Sequence, residues 1–137
     1  TRSVQSGIAA LLEFNTTLNL DENESAMSTV VSGVGDGRVC KASRDVTIYG
    51  HDIKKGMAFA TFDDNIVALG SDPLLVLSKM IEEHGSKAEI ITIYTGKSLS
   101  TDQVTDATES LSTKFENIEI EVVYGGQPHY EYLVAVE

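Results

Sequence analysis

The second half of the chain alternates between helix signals and strand signals, and this alternation restricts the possible folds more than any other feature of the sequence. Asp72 is an N-cap residue followed by Pro73 at the first helical position, and apolar residues at helical spacing continue to Gly85. Ser100 and Gln103 form a capping box that begins a second helix. Strands are predicted around these helices at residues 88–94, 118–124 and 132–136. Helices that alternate with strands favour parallel pairing through right-handed crossovers, and hence an α/β fold on a mixed sheet.

The first third of the chain predicts one further strand and one further helix. Residues 7–14 form a continuous apolar run of strand length, which is typical of a strand covered on both faces. Asp21 and Glu24 have the spacing of a capping box, and the helix that follows ends at Gly33. The glycine-rich segment 33–38 comes after a helix and before a strand, which is the reverse of the order in phosphate-binding loops. We therefore interpret it as a helix stop followed by a turn.

Residues 38–70 predict a small antiparallel section. Strand-like pieces separated by turn residues occupy 38–42, 46–49, 57–62 and 66–69. Residues 50–52 read as a turn, and residues 63–65 join the last two pieces as a hairpin. The predicted fold class is therefore α/β, with a mixed β-sheet packed with about three helices, in a single domain spanning residues 1–137.

Composition excludes several classes of function. The net charge is −11, from 21 acidic and 10 basic residues, and this field repels the phosphates of nucleic acids. The acidity indicates either a solvated surface or a basic protein partner. No apolar run approaches the roughly 20 residues that a membrane helix needs, so no membrane insertion is expected. The single cysteine, Cys40, cannot form an internal disulfide and is expected to be a buried, unreactive thiol, which suits a cytoplasmic location. Because the first residue is Thr1 and no leader pattern follows it, we expect the chain to derive from a longer protein.

Metal-binding and catalytic patterns find no support in the sequence. The three histidines are far apart and lie in turns or at a helix end: His51, His84 and His129. His84 is best explained as a cation near a helix C-terminus. The acidic pairs at 21–22 and 63–64 occupy ordinary cap and turn positions, and no serine lies in a nucleophile elbow. The sequence predicts no catalytic residue, no metal site and no cofactor site in this chain.

Two segments carry side chains suited to recognition. Arg44 and Asp45 lie between two short strands, where they either lock the corner by hydrogen bonds or present a guanidinium group to a partner. Near the C-terminus, Gly125-Gly126 and Pro128 predict a rigid, tightly turned loop before a buried last strand. Gln127, Tyr130 and Tyr132 accompany it, and tyrosines two residues apart in an extended segment share one face, at a core edge or at a binding surface.

Several of these stretches, taken in order, resemble one family. They are Arg44-Asp45 with Thr47, Gly50 and residues 52–56; residues 66–68; residues 89–94 with Gly96; and the closing Gly-Gly-Gln-Pro-His-Tyr-Glu-Tyr-Leu-Val-Ala-Val-Glu of residues 125–137. The chain resembles the C-terminal region of the ATP-binding subunit of bacterial fatty acid kinase, which is related to dihydroxyacetone kinases. The likeness runs from about residue 7 to residue 137, and the closing motif is its most specific part.

The resemblance implies a division of labour within a longer protein. In that family an N-terminal helical domain binds ATP and magnesium, a middle domain dimerises, and the C-terminal region has a fold like that of DegV-type lipid carriers. That C-terminal region docks the separate fatty-acid-binding protein of the DegV family. The chain carries neither the aspartate cluster that holds magnesium nor the Thr-Ser motif with which DegV carriers hold a carboxylate.

The leading hypothesis is therefore a noncatalytic domain that docks the lipid carrier, so that the bound acyl carboxylate is phosphorylated elsewhere in the parent and supplied to phospholipid synthesis. The candidate contact residues are Arg44, Asp45, Gln127, Pro128, Tyr130 and Tyr132. ATP and magnesium are expected in the parent, and the resemblance implies that the parent is a homodimer. The alternatives are a DegV-like lipid-binding module and a small phosphatase-like or sugar-related kinase-family enzyme.

Overall fold

The structure, a computed structural model, describes residues 3–137. Within those residues it contains four α-helices, one more than predicted. They are α1 Val4–Glu13, α2 Leu20–Gly33, α3 Pro73–Met80 and α4 Thr101–Lys114, and a π-helical turn, Ile81–Gly85, continues α3. The strands are β1 Gly35–Lys41, β2 Val46–Ile48, β3 His51–Ile53, β4 Ala58–Phe62, β5 Asn65–Gly70, β6 Ile90–Thr95, β7 Glu119–Tyr124 and β8 Tyr132–Val136.

Six strands form one mixed sheet in the order β5-β4-β1-β8-β6-β7. Only β6 and β7 are parallel, joined through α4 as the alternation of signals predicts, whereas β8 lies antiparallel between β1 and β6. Strands β2 and β3 form a separate antiparallel ribbon. The predicted α/β class with a mixed sheet and a small antiparallel section is confirmed.

The main core lies between the sheet and helices α3 and α4. The cap of α3 is as predicted, because the side chain of Asp72 accepts a hydrogen bond from the backbone N–H of Leu74 at 2.9 Å. The capping box of α4 is also confirmed. Residues of both helices and of five strands are buried together, among them Val39, Leu77, Met80, Ile93, Leu111 and Val134. This side of the sheet therefore holds most of the buried apolar surface.

The run at residues 7–14 was wrongly predicted as a strand, because it belongs to helix α1. A short apolar run cannot be assigned to helix or strand by periodicity alone. A buried polar side chain of this helix contacts the sheet. Gln5 is 1% exposed, and its amide donates to the Asp36 carboxylate at 2.6 Å and to the Gly37 carbonyl oxygen at 2.9 Å. Leu11 and Leu12, near the other end of the helix, are exposed.

Two further predictions near α2 are corrected. The capping box is formed by Asn19 and Glu22, not by Asp21 and Glu24, so the helix begins earlier than predicted. The segment 33–38 is not a turn, because β1 begins at Gly35 directly after the helix. Gly37 is closely packed inside this strand, since a Cβ there would lie 2.7 Å from Cε of Met80 and 3.0 Å from Cβ of Val134.

The antiparallel section contains one strand that the sequence analysis missed. Residues 51–53 form β3, which pairs with β2, and the turn between them is made by Tyr49 and Gly50 with φ of 48° and 80°. Positive φ at both central residues is the conformation of a type I′ hairpin turn. The hairpin predicted at 63–65 is confirmed, and its turn residues Asp63 and Asp64 also have positive φ.

Candidate functional site

Four connecting segments meet at one end of the sheet, which we call the loop end. Lys41, the last residue of β1, pairs with the first residue of β4, and Thr95, the last residue of β6, pairs with the last of β7 and the first of β8. The loop end therefore comprises residues 42–57, 71–72, 96–100 and 125–131. It brings Arg44 and Asp45 to the same end of the molecule as residues 125–131, which we call the closing loop.

The closing loop is held to β6 through its backbone. The N–H groups of Gly125 and Gly126 both donate to the carbonyl oxygen of Thr95 at 3.0 Å. The N–H of Gly96 donates to the carbonyl oxygen of Glu131 at 2.8 Å. Gly126 has a φ of 69°, a conformation that glycine adopts without strain. The predicted rigidity of this loop thus has a physical basis in hydrogen bonds to the neighbouring strand.

Gln127 forms hydrogen bonds through both its side chain and its backbone. Its amide nitrogen donates to the carbonyl oxygen of Tyr94 at 2.8 Å, and its own carbonyl oxygen accepts from the N–H of Lys97 at 3.1 Å. The side chain is therefore occupied within the molecule. Gln127 positions the loop, while the neighbouring Pro128 and His129 are exposed.

Arg44 and Asp45 have different environments. The carboxylate of Asp45 accepts from the backbone N–H of Lys55 at 2.8 Å and lies 3.5 Å from Nζ of Lys54. The hydrogen bond from Lys55, with the Lys54 charge, lowers the pKa of Asp45. Asp45 thus locks the corner of the ribbon by hydrogen bonding, which is one of the two roles that the sequence analysis gave for Arg44 and Asp45. Arg44 is exposed and forms no ion pair within residues 3–137.

A cavity of about 250 Å³ opens at the loop end between the N-termini of α3 and α4. Its lining includes Lys41 together with the carboxylates of Asp72, Asp106 and Glu131. Oε2 of Glu131 is buried and has no hydrogen-bond partner among the described residues. The cavity carries more negative than positive side chains, so it disfavours an anionic ligand.

The two tyrosines near the C-terminus do not share a surface. Tyr132 is 2% exposed and lines the cavity, and burial, with the charges of Asp72 and Glu131, raises its pKa to about 12. Tyr130 is half-buried, and the chain bends at Glu131 between them. The predicted common face is therefore wrong, because the extended strand begins only at Tyr132. Among the predicted contact residues, those with side chains open to a partner are Arg44, Asp45, Pro128 and, in part, Tyr130.

Sequence reasoning missed the residues that follow β6 and complete the loop end. Lys97 and Ser98 are exposed and lie in the segment that Gln127 holds in place. The signal was present, because loops at the carboxyl ends of parallel strands commonly carry ligand-binding residues, and β6 and β7 are parallel. Lys41 was missed because its position at this end depends on the order of the strands.

Cys40 is half-buried in β1, and burial, with the charge of Glu131, raises its pKa to about 11. The thiolate is the reactive form, and at pH 8 this pKa leaves a thiolate fraction about two hundred times smaller than in free cysteine. A more basic thiolate is about tenfold more nucleophilic, so we expect Cys40 to be alkylated about twentyfold more slowly than free cysteine. The rate should keep rising with pH up to about 11, whereas a thiol with an ordinary pKa reaches a plateau above pH 9 or so. Mass spectrometry of iodoacetamide labelling across pH checks this, with the urea-unfolded chain as control. A plateau near pH 9 in the folded chain would contradict it.

The remaining polar clusters have structural roles. Arg38 forms ion pairs with Asp36 and, at 3.1 Å, with Asp64 of the hairpin turn. The ring of His84 lies at the helix end as predicted and stacks on Phe62 with centroids 4.7 Å apart. Residues 3–137 contain no group of three or more His, Cys, Asp or Glu side chains placed to hold a metal ion. None of the helices in this part of the chain has the length and apolar character needed to cross a bilayer.

The fold matches one half of a larger solved structure. The structure is similar to that of the Streptococcus pneumoniae Fatty Acid Kinase (Fak) B3 protein loaded with linoleic acid, with a TM-score of 0.58. The likeness covers 88% of this chain and 50% of that chain, at 11% sequence identity. At this identity the comparison establishes the shared α/β fold.

The family follows from the sequence comparisons. Residues 1–137 match the family model of the FakA-like C-terminal domain of fatty acid kinase. An uncharacterized protein of Staphylococcus haemolyticus (strain JCSC1435) is 33% identical over 138 residues, and one of Staphylococcus aureus (strain USA300) is 31% identical. Each match covers 100% of this chain, and the chain spans 25% of the length of these relatives. The chain belongs to the FakA-like family of fatty acid kinase and represents its C-terminal domain, as the resemblance predicted.

Proposed function

We propose that this domain docks the separate fatty-acid-binding protein of the kinase through the loop end, and that it carries no catalytic group of its own. The observation that carries the proposal is that backbone hydrogen bonds hold the closing loop to β6. The loop thereby presents Pro128 and His129 at the same end of the sheet as the exposed Arg44. Rigid backbone with exposed recognition side chains binds a protein at low entropic cost. Arginine is also enriched at the energetic centres of interfaces.

The test is a titration of the fatty-acid-binding protein, loaded with a fatty acid, into the parent protein. We expect Arg44→Ala to weaken binding about tenfold, because an arginine at an interface contributes roughly 1–2 kcal/mol. Lys87→Ala is the matched control, since Lys87 is exposed before β6 at the opposite end of the sheet. It should change the dissociation constant less than twofold. Equal affinities for Arg44→Ala and wild type would exclude Arg44 as a contact, and no binding by wild type would exclude docking.

Phosphoryl transfer belongs, in this proposal, to other parts of the parent. ATP and magnesium would bind in the ATP-binding domain, the parent would be a homodimer, and the reaction would take place in the cytoplasm. The acidic lining of the loop-end cavity supports this assignment, because it offers ATP no cluster of cationic side chains. ATP hydrolysis or acyl phosphate formation by the 137-residue chain mixed with the lipid carrier would exclude a noncatalytic role.

The second candidate function is lipid binding by the domain itself, which the fold likeness to a lipid-loaded protein favours. The loop-end cavity argues against it, because about 250 Å³ is small and its three carboxylates would repel a fatty acid carboxylate. Native mass spectrometry of the chain purified from cells distinguishes the two. A fatty acid that remains bound to the chain without the carrier would favour the lipid-binding module over docking.

A further inference from the structure

The α1–α2 hairpin carries the largest concentration of exposed apolar side chains in the described residues. Six of the eleven exposed large hydrophobic residues lie within positions 4–20, and we call them the hairpin patch: Val4, Leu11, Leu12, Phe14, Leu18 and Leu20. Their exposed fractions range from 40% to 82%. Patches of this kind mark interaction surfaces, because single exposed apolar residues are common but clusters are not.

Helix α1 is attached to the sheet by a buried polar side chain, Gln5, and leaves large apolar side chains exposed. Gln5 and Ser6 are buried, whereas Leu11 and Leu12 are 70% and 82% exposed. A helix on the outside of a domain ordinarily buries its apolar side chains and exposes its polar ones. The exposed leucines therefore indicate a helix that packs against a second apolar surface in addition to the sheet.

An apolar groove of about 590 Å³ lies beside the patch, between α1 and α2, and is lined by residues that include Phe14, Leu20 and Met27. Its buried polar residue, Asn23, is already satisfied within the hairpin. The Asn23 amide accepts from the N–H of Asn15 at 2.8 Å and donates to backbone carbonyl oxygens of residues 15, 18 and 19. Because its one buried polar residue is satisfied and most of its lining is apolar, the groove suits packed apolar side chains better than a small polar ligand.

We propose that the hairpin patch packs against the polypeptide that precedes this domain in the parent kinase protein. The chain spans 25% of its relatives and matches a C-terminal family, so most of the polypeptide of those relatives precedes the matched part. Helix α1 begins at Val4, so the patch lies beside the point where that polypeptide would join. Because the two parts belong to one polypeptide, the effective concentration of the preceding segment near the hairpin patch is in the millimolar range. A modest interface between domains therefore suffices to hold them together.

The test uses the parent protein with single substitutions Leu11→Cys, Leu20→Cys or Leu75→Cys. The three leucines are similarly exposed in this domain, at 70%, 82% and 68%, but Leu75 lies on α3, on the other side of the sheet. N-ethylmaleimide labelling is followed by mass spectrometry of the peptides, so other cysteines do not interfere. In the parent, positions 11 and 20 should react at least about tenfold more slowly than position 75, since labelling requires the interface to open. In the 137-residue chain alone, all three should react at similar rates.

Three results would overturn the proposal. The first is equal labelling rates at the three positions of the parent. The second is protection that disappears on dilution, because a second copy would then be the occupant. The third is protection that needs added fatty-acid-binding protein, since the carrier would then cover the patch. Hydrogen exchange of residues 4–20 in the unsubstituted parent repeats the measurement without any risk that a substitution disturbs folding.

Discussion

Replacing Gly96 by alanine is expected to destabilise the domain by about 3 kcal/mol and to lower its Tm by roughly 10 °C. A Cβ at this position would collide with the carbonyl oxygen of Tyr130 and would lie 3.2 Å from that of Gln127. Both are backbone atoms of the closing loop, so no side-chain rotation relieves the contact. The loop cannot retreat without losing the hydrogen bonds that Gly125 and Gly126 donate to Thr95. Urea unfolding followed by circular dichroism measures the change.

Gly33→Ala is the control for this prediction. Gly33 is the last residue of α2, and a Cβ there would meet nothing within 4 Å. Because alanine restricts the unfolded chain more than glycine does, the control should be neutral or stabilising by up to about 1 kcal/mol. If Gly96→Ala unfolds at the same urea concentration as wild type, the close packing of the closing loop on β6 is wrong.

The parts of the fold that sequence predicted correctly are those with strong local signals. Asp72-Pro73 and the Ser100–Gln103 capping box each satisfy helix N–H groups within four residues, so the helix starts needed no knowledge of tertiary contacts. The last strand was predicted with its observed bounds, Tyr132–Val136, because a short apolar run followed a turn.

The first helix could not be predicted from the same rules. Leu11 and Leu12 of this helix are exposed while Gln5 and Ser6 are buried, so the run lacks the pattern of a surface helix. Position 37 is a second example, because the close packing of Gly37 depends on Met80 and Val134, which are distant in sequence.

The candidate site was predicted in part, and the division has a physical reason. Arg44 and the closing loop were chosen for their residue types, and both reach the loop end. Which side chains remain open there depends on tertiary hydrogen bonds. The side-chain amide of Gln127 is hydrogen-bonded to the carbonyl oxygen of Tyr94, and Tyr132 is buried. Neither feature has a local signal in the sequence.

Leu77→Ala is expected to destabilise the domain by about 4 kcal/mol, the cost of a cavity in a packed core. Leu77 is fully buried on α3, in the cluster that also contains Val39 and Val134 from the centre of the sheet. Leu75→Ala, two residues earlier on the same helix, is the matched control. Leu75 is 68% exposed, so its truncation should change stability by less than about 0.5 kcal/mol.

Thermal and urea unfolding of the 137-residue chain measure the stability of both variants. The comparison between the two losses decides which side of the sheet supports the fold. The α3 side holds the main core, whereas the α1 side is joined to the sheet by Gln5 and leaves its leucines exposed. If the loss for Leu77→Ala is no larger than for Leu75→Ala, the main core is not on the α3 side. Cooperative unfolding of the unsubstituted chain, with a large loss confined to Leu77→Ala, would show that the domain keeps its fold without a covered hairpin patch. The apolar surface of α1 is then available for contacts between domains.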